Sequence, residues 1–247
     1  MAGHSKWAQI KRQKAANDYK KGAIFSKLSR EIYVAAREGG PNPDANVRLR
    51  MALERAKREG MTGDTIERAI AKASGAGTDG ESYQTVFYEG YGPGGVAIMA
   101  IALTDNRNRT AAEIRHAFSR HGGALGETGS VGWQFDTVGQ IIVPLNGHDA
   151  DEIALLAIDA GATDVVTEED EIIITTEPSD LSAVTEALRG SGIEPAESGI
   201  TRVAQNMVEI DAAQTATAIK LLDALEDLDD IQEVFTNASF AESAVPA

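Results

Sequence analysis

Apolar positions recur at helical spacing through the first 75 residues. Ile24, Leu28, Ile32 and Ala35 lie four, four and three residues apart, which stacks them on one face of a helix. Gly39-Gly40-Pro41 predicts its end, because glycine suits the left-handed cap and proline cannot continue the helix. A second helix is predicted after Asn46, with Leu49, Ala52, Leu53 and Ala56 inward and Gly60 as its stop. A third begins near Thr62 to Asp64, where Asp64 and Glu67 have the spacing of a variant capping box. Ile66, Ala69, Ile70 and Ala73 form its apolar face. Ahead of these, Ser5 is placed to cap a helix reaching about Asn17, and Gly22 permits a break. Ser74 to Gly80 has the composition of a linker.

From Tyr83 the period changes. Tyr83 to Glu89 reads as a strand, and the uncharged run Val96 to Leu103 suits a buried one. A helix follows over about Arg109 to Arg120, with Ile114, Ala117 and Phe118 inward and Gly122-Gly123 at its end. Residues 139–201 then alternate regularly. Strands are predicted at 140–145, 164–167, 171–176 and 193–201, and helices at 151–160 and 180–189. That βαββαβ order is the ferredoxin-like pattern. Residues 206–210, 212–225 and 231–235 read as strand, helix and strand.

The last βαβ and the earlier strand–strand–helix each lack a complete sheet, and joining them makes one domain. The fold class expected is therefore α+β and multidomain. A helical N-terminal domain (1–78) precedes two α/β domains, a discontinuous one (79–130 with 204–247) and a ferredoxin-like one (131–203) inserted in it. Three domains in series remain the competing arrangement.

Charge adds a polarity that the apolar pattern does not contain. The 247 residues carry a net charge of −15. Residues 1–75 nevertheless hold 16 basic and 8 acidic side chains, whereas residues 141–247 hold 3 and 23. In the first 30 residues Lys6, Lys11, Arg12, Lys14, Lys20, Lys21, Lys27 and Arg30 face a single acid, Asp18. A basic head on an acidic body points to a polyanion, with nucleic acid the expected partner. Trp7 and Tyr19 lie among these cations and could stack on bases, although core packing is the better account of Trp7. Arg107, Arg109 and Arg115 form a smaller basic spot near a helix start, suited to phosphate contacts. The acidic half either confers solubility or repels nucleic acid so that only the head engages.

Other chemistry finds little support. There is no cysteine, which excludes disulfides and thiolate sites and fits a reducing cytoplasm. No apolar run suits a membrane span, and the basic N-terminus lacks the apolar core of a secretory signal. Gly90-x-Gly92-x-x-Gly95 matches a dinucleotide fingerprint in form, but Val96 opens a strand instead of a helix, so a hairpin turn is expected. Tyr91 at that tip is a candidate partner contact. His116 and His121 are five apart, against the three or four that helical metal ligands favour. No metal site, cofactor or catalytic residue is expected. A protein-only adaptor, or an enzyme using an inter-domain cleft, stands as the alternative class.

Several segments together closely resemble the YebC family. They are Met1 to Trp7 (MAGHSKW), Lys27 to Ile32 (KLSREI), Tyr88 to Gly95 (YEGYGPGG), Thr104 to Thr110 (TDNRNRT) and His121 to Val131 (HGGALGETGSV). The resemblance spans nearly the whole chain. It implies a cytoplasmic, non-enzymatic protein with a helical N-terminal domain and two α/β domains around a cleft. It also implies work in gene expression. Some members are described as DNA-binding transcriptional regulators. Others resemble ribosome-associated factors that ease translation of stretches such as proline runs, and the mitochondrial relatives include the translational activator of cytochrome c oxidase. DNA and ribosomal RNA are thus both expected targets, and the oligomeric state stays open. One departure is Arg12, where the family often has histidine.

Overall fold

The computed structural model describes residues 21–74, 83–168 and 170–244. The helix predicted over 5–17 therefore lies outside the described residues. Three helices form the described part of the head: α1 (Lys21–Gly39), α2 (Val47–Arg58) and α3 (Gly63–Ser74). Gly22 sits inside the first turn of α1. Leu28, Ile32, Ala35, Leu49, Ala52, Leu53, Ala56, Ile66 and Ala69 bury together as one core. That is the outcome expected when an apolar stripe on each helix needs a partner.

Asn46 holds the α1–α2 corner. Its amide nitrogen donates to the Ala35 carbonyl at 2.7 Å and to the Gly40 carbonyl at 2.8 Å. Its side-chain oxygen accepts from the Leu49 amide at 3.0 Å. One buried side chain thus serves carbonyls near the end of α1 and an orphan amide at the start of α2. Gly39 is required beside it, because an added Cβ would stand 2.6 Å from the Asn46 amide. In α3, by contrast, the helix begins at Gly63, so Asp64 falls in its first turn instead of capping it.

The next layer comprises β1 (Gln84–Tyr91), β2 (Ala97–Thr104), α4 (Arg107–Arg120) and β3 (Ala124–Leu125). Asn106 caps α4 by accepting from the Arg109 amide, so the helix starts two residues before the position expected from apolar spacing. Between β1 and β2 lies a tight turn. The Gly92 amide donates to the Val96 carbonyl at 2.8 Å, and Gly94 and Gly95 both take φ of 77°. The glycine motif is a hairpin.

The inserted stretch contains β4 (Phe135–Pro144), α5 (Ala150–Asp159), β5 (Ala162–Thr167), β6 (Glu171–Thr176), α6 (Leu181–Gly190) and β7 (Glu197–Ala204). Its sheet order is β5-β6-β4-β7, with β6 antiparallel to both β4 and β5. Ile141, Val143, Ile172 and Ile174 pack there on Ile153, Ala157, Val184 and Leu188. The strand expected over 193–201 instead begins at Glu197, because buried Ile193 fills the core from the loop after α6.

The chain then returns through β8 (Val208–Glu209), α7 (Ala212–Glu226), β9 (Ile231–Thr236) and β10 (Ala238–Ser239). β9 joins the first sheet, giving the order β3-β1-β2-β9, all pairs antiparallel. Only Val208 and Glu209 of the strand expected at 206–210 are extended, in a short parallel pair with β10. Ile98, Ala100 and Ala102 of β2 pack against Ile114 and Phe118 of α4 and Leu221, Leu222 and Leu225 of α7. Two compact units result, Phe135–Val203 and the remainder. Within the larger one, Tyr33 and Val34 of α1 bury against Leu103 of β2. No helix among the described residues is long and apolar enough to cross a membrane.

Candidate nucleic-acid interface

The turn from α7 into β9 places Asp230 at the meeting point of α1, β2 and α4. Its side chain is 3% exposed. Oδ2 accepts from Arg109 Nη2 at 2.7 Å, from Thr110 Oγ1 at 2.6 Å and from Thr104 Oγ1 at 3.1 Å. Oδ1 pairs with Arg30 Nη1 at 3.3 Å. Burial pushes the Asp230 carboxyl up, but the bonds from Thr110, Arg109 and Thr104 outweigh it and hold the group below its ordinary value. The Arg109 guanidinium is raised in turn, first by its bond to Asp230. Its Nη2 also reaches Asp105 at 2.9 Å. Thr104, Asp105, Arg109 and Thr110 all come from the conspicuous TDNRNRT segment, which this site explains as a structural clasp.

The predicted site residues divide into three groups. Lys6, Trp7, Lys11, Arg12, Lys14 and Lys20 lie outside the described residues, as does the side chain of Lys21. Lys27, Arg30 and Arg109 are brought together around the acidic turn. Lys27 Nζ donates to the Glu226 carbonyl. Arg30 Nη1 donates to the Asp229 carbonyl at 2.6 Å, and its guanidinium stands 5.3 Å from the Tyr83 ring centre. Arg107 is not part of this cluster. It opens α4 on the exposed surface, with its carbonyl accepting from the Tyr88 hydroxyl at 3.1 Å.

Further cations stand outside the first 30 residues. α2 carries Arg48, Arg50, Arg55, Lys57 and Arg58 against Glu54. Arg48 pairs with Glu38, and Arg55 lies 3.7 Å from both Glu31 and Glu233. Arg50 and Lys57 are exposed one helical face apart from the buried stripe. In the sequence they form a basic run interleaved with the second apolar stripe.

A second buried carboxylate organises the loop after β3. Glu89 Oε1 accepts from the Gly129 amide at 2.8 Å, and Oε2 from the Val131 and Gly132 amides at 2.7 and 2.6 Å. Tyr91 Oη and Trp133 Nε1 donate to the Ser130 carbonyl at 2.9 and 3.2 Å, leaving Trp133 68% exposed. Among the described residues no group of three or more His, Asp or Glu is placed to hold a metal ion.

Known proteins resemble this chain over nearly its full length. Residues 5–76 match the family described as the TACO1/YebC protein N-terminal domain, and residues 83–238 match the TACO1/YebC second and third domain. A "Probable transcriptional regulatory protein" of Thermomicrobium roseum is 67% identical over 240 residues, 97% of each chain. One of the same name from Desulfitobacterium hafniense is 50% identical over 246 residues, 98% of this chain and 97% of that protein. The crystal structure of a conserved hypothetical protein from Aquifex aeolicus superposes with a TM-score of 0.85 at 45% identity, covering 93% of this chain and 95% of that one.

Proposed function

The chain belongs to the TACO1/YebC family, and from that premise we propose that it is a non-enzymatic, nucleic-acid-binding regulator of gene expression acting in the cytoplasm. The observation that carries the reading is the polarity of charge. Sixteen basic residues fall within the first 75, in a chain of net charge −15. An acidic protein retains such a head against its own field where a polyanion is the partner. Exposed Arg50, Lys57 and Arg107 extend the basic surface beyond the first 30 residues. The names of the relatives support regulation.

The same surface favours backbone binding over base readout, because cations dominate the head and base-reading Asn and Gln side chains are few there. The non-enzymatic reading draws on the two buried carboxylates. Asp230 and Glu89 are each saturated by donors within the fold, which leaves neither poised for proton transfer.

Crosslinking in cells, followed by sequencing of bound nucleic acid, tests the proposal and separates its two forms. Ribosomal RNA supports a translation factor and promoter DNA a transcription factor. Replacing Lys11, Arg12 and Lys14 with Glu must deplete the bound set. An unchanged set removes the head as the contact.

A further inference from the structure

We propose that the outer face of α5 docks a basic amphipathic helix of another protein. The inference goes beyond the nucleic-acid reading and does not depend on it. Ile153 to Ile158 (IALLAI) is an unbroken apolar run inside α5 (Ala150–Asp159), so apolar side chains project around the whole helix. Packing on the sheet uses one side of it. Ile153 and Ala157 are buried with Ile141, Val143, Val184 and Leu188. Leu155 and Ile158, three residues apart and so adjacent on the outer face, are left 63% and 55% exposed. Single exposed apolar residues need no explanation, but a helix that is apolar all round is ordinarily covered on every side. Helix α6 shows the ordinary form of an uncovered face in this layer. It adds Val184 and Leu188 to the same core and turns Ser182, Glu186 and Arg189 to solvent.

Charge selects the occupant. Asp151 and Glu152 lie one turn before Leu155 and Asp159 one turn after it, all three exposed. The apolar pair is thus bracketed by carboxylates on its own helix face. The unit Phe135–Val203 holds 15 acidic residues against Arg189 and Arg202, and Arg189 pairs with Glu194 at 3.2 Å. Such a field repels nucleic acid and anionic lipid and attracts a cationic protein segment. The geometry narrows that segment to a helix. A narrow apolar seam with charge along its sides is what two packed helices share, the partner supplying the opposite sign. The occupant therefore carries apolar residues at spacings of three and four, flanked by Lys or Arg. A second copy offering its own basic head is the competing occupant. It is disfavoured because it joins unlike faces of identical chains, which grow into an open filament unless the rotation closes a ring.

The test titrates the full chain against two labelled peptides of about 18 residues, long enough to form a helix. Both are built of leucine and lysine in the same proportions, one with the leucines on a single helical stripe and one permuted to lack it. The wild type is expected to bind the striped peptide about tenfold more tightly than the permuted one. L155S/I158S is expected to erase that difference and to leave binding of the permuted peptide unchanged. D151N/E152Q/D159N is expected to weaken striped-peptide binding severalfold and to flatten its salt dependence. All five positions are exposed, so an unchanged thermal midpoint verifies that both variants fold. Equal binding of the two peptides by the wild type, or an L155S/I158S variant that still tells them apart, overturns the proposal. A photo-crosslinker placed at Leu155 in cells then separates the occupants. Crosslinks mapped by mass spectrometry to a Lys- or Arg-rich helical segment of another protein support the proposal. Crosslinks confined to this chain give the face to a second copy and overturn it, as does the absence of any.

Discussion

Arg30 on α1 and Asp230 on the α7–β9 turn face each other at 3.3 Å, joining the basic head to one of the most acidic turns of the chain. The pair gives Arg30 a bonding role inside the molecule. Its guanidinium also caps the Asp229 carbonyl, and Lys27 does the same for Glu226 one turn earlier on α1. Among the described residues, the positive charge left for a partner is thereby displaced toward the exposed side of α2 and the start of α4. Opposite charges at the two ends of the sequence thus do two jobs. Some neutralise each other in the fold, and others, Arg50, Lys57 and Arg107 among them, face solvent.

Asp230→Ala should be among the most damaging single changes in the larger unit. It strips one acceptor from Arg30, Arg109, Thr104 and Thr110 at once. Breaking a buried ion pair by removing one partner costs about 3–5 kcal/mol. Arg109 is 45% exposed and regains water, so a loss below that range, about 2–3 kcal/mol, is expected. Urea denaturation followed by tryptophan fluorescence measures it. A loss below about 1 kcal/mol, the scale of an exposed pair, would remove Asp230 from its place as the clasp.

The same carboxyl sets a pH dependence. Its folded pKa lies below the ordinary value, so the unfolded chain takes up the proton first as pH falls. The stability it supplies is complete above the unfolded aspartate range, near 4, and is lost as pH drops through that range toward the folded pKa. Asp230→Asn removes this dependence. Wild type and variant should differ by a constant amount between neutral pH and about 5, and converge below about 4. Denaturation midpoints across that series decide it, and a gap that widens on acidification would contradict the sign.

Much of this arrangement was visible in the sequence, and the limits are physical. Leu49, Ala52, Leu53 and Ala56 as the buried stripe of α2 follow from periodicity alone, and the helix was expected to follow Asn46, whose capping bonds only the fold shows. Gly90 was legible as part of a hairpin instead of a phosphate loop because a strand, and not a helix, follows it. Its packing role was not. A Cβ there would meet the Ala124 carbonyl at 2.6 Å and the Phe118 ring at 2.7 Å, contacts that only the folded chain brings together. Strands such as β3, β8 and β10, with two residues each, carry no period to read. Asp230 lay hidden in Asp227-Leu228-Asp229-Asp230, a run that reads as solvated acid, because its partners stand 120 or more residues away. Counting cations could not tell Arg30 and Arg109, which are used inside, from Arg107, which is not.

Glu89→Gln should loosen one loop without unfolding the sheet. A glutamine oxygen can keep the Val131 and Gly132 amides, but its NH2 then opposes the Gly129 amide across 2.8 Å. One buried donor is left unsatisfied, at a cost of about 1–3 kcal/mol. Amide exchange should quicken at Gly129 and around Ser130, while β1 and β2 keep their protection. Unchanged exchange at Gly129 would mean that the carboxylate does not hold the loop.

The acidic inserted unit offers the last prediction. Asp164 on β5, Glu168 and Asp170 in the β5–β6 turn and Glu177 after β6 lie close together in sequence on one small sheet. If their field turns nucleic acid away from all but the head, replacing them by Asn and Gln should strengthen binding to random-sequence duplex severalfold at low ionic strength. The gain should fade as salt shortens the Debye length to about 8 Å at physiological strength. Fluorescence anisotropy on the quadruple variant reads both effects. Unaltered binding with lower solubility would instead show that these acids keep the protein dispersed. The charge polarity would then reflect two separate requirements, a basic surface for the partner and an acidic one for water.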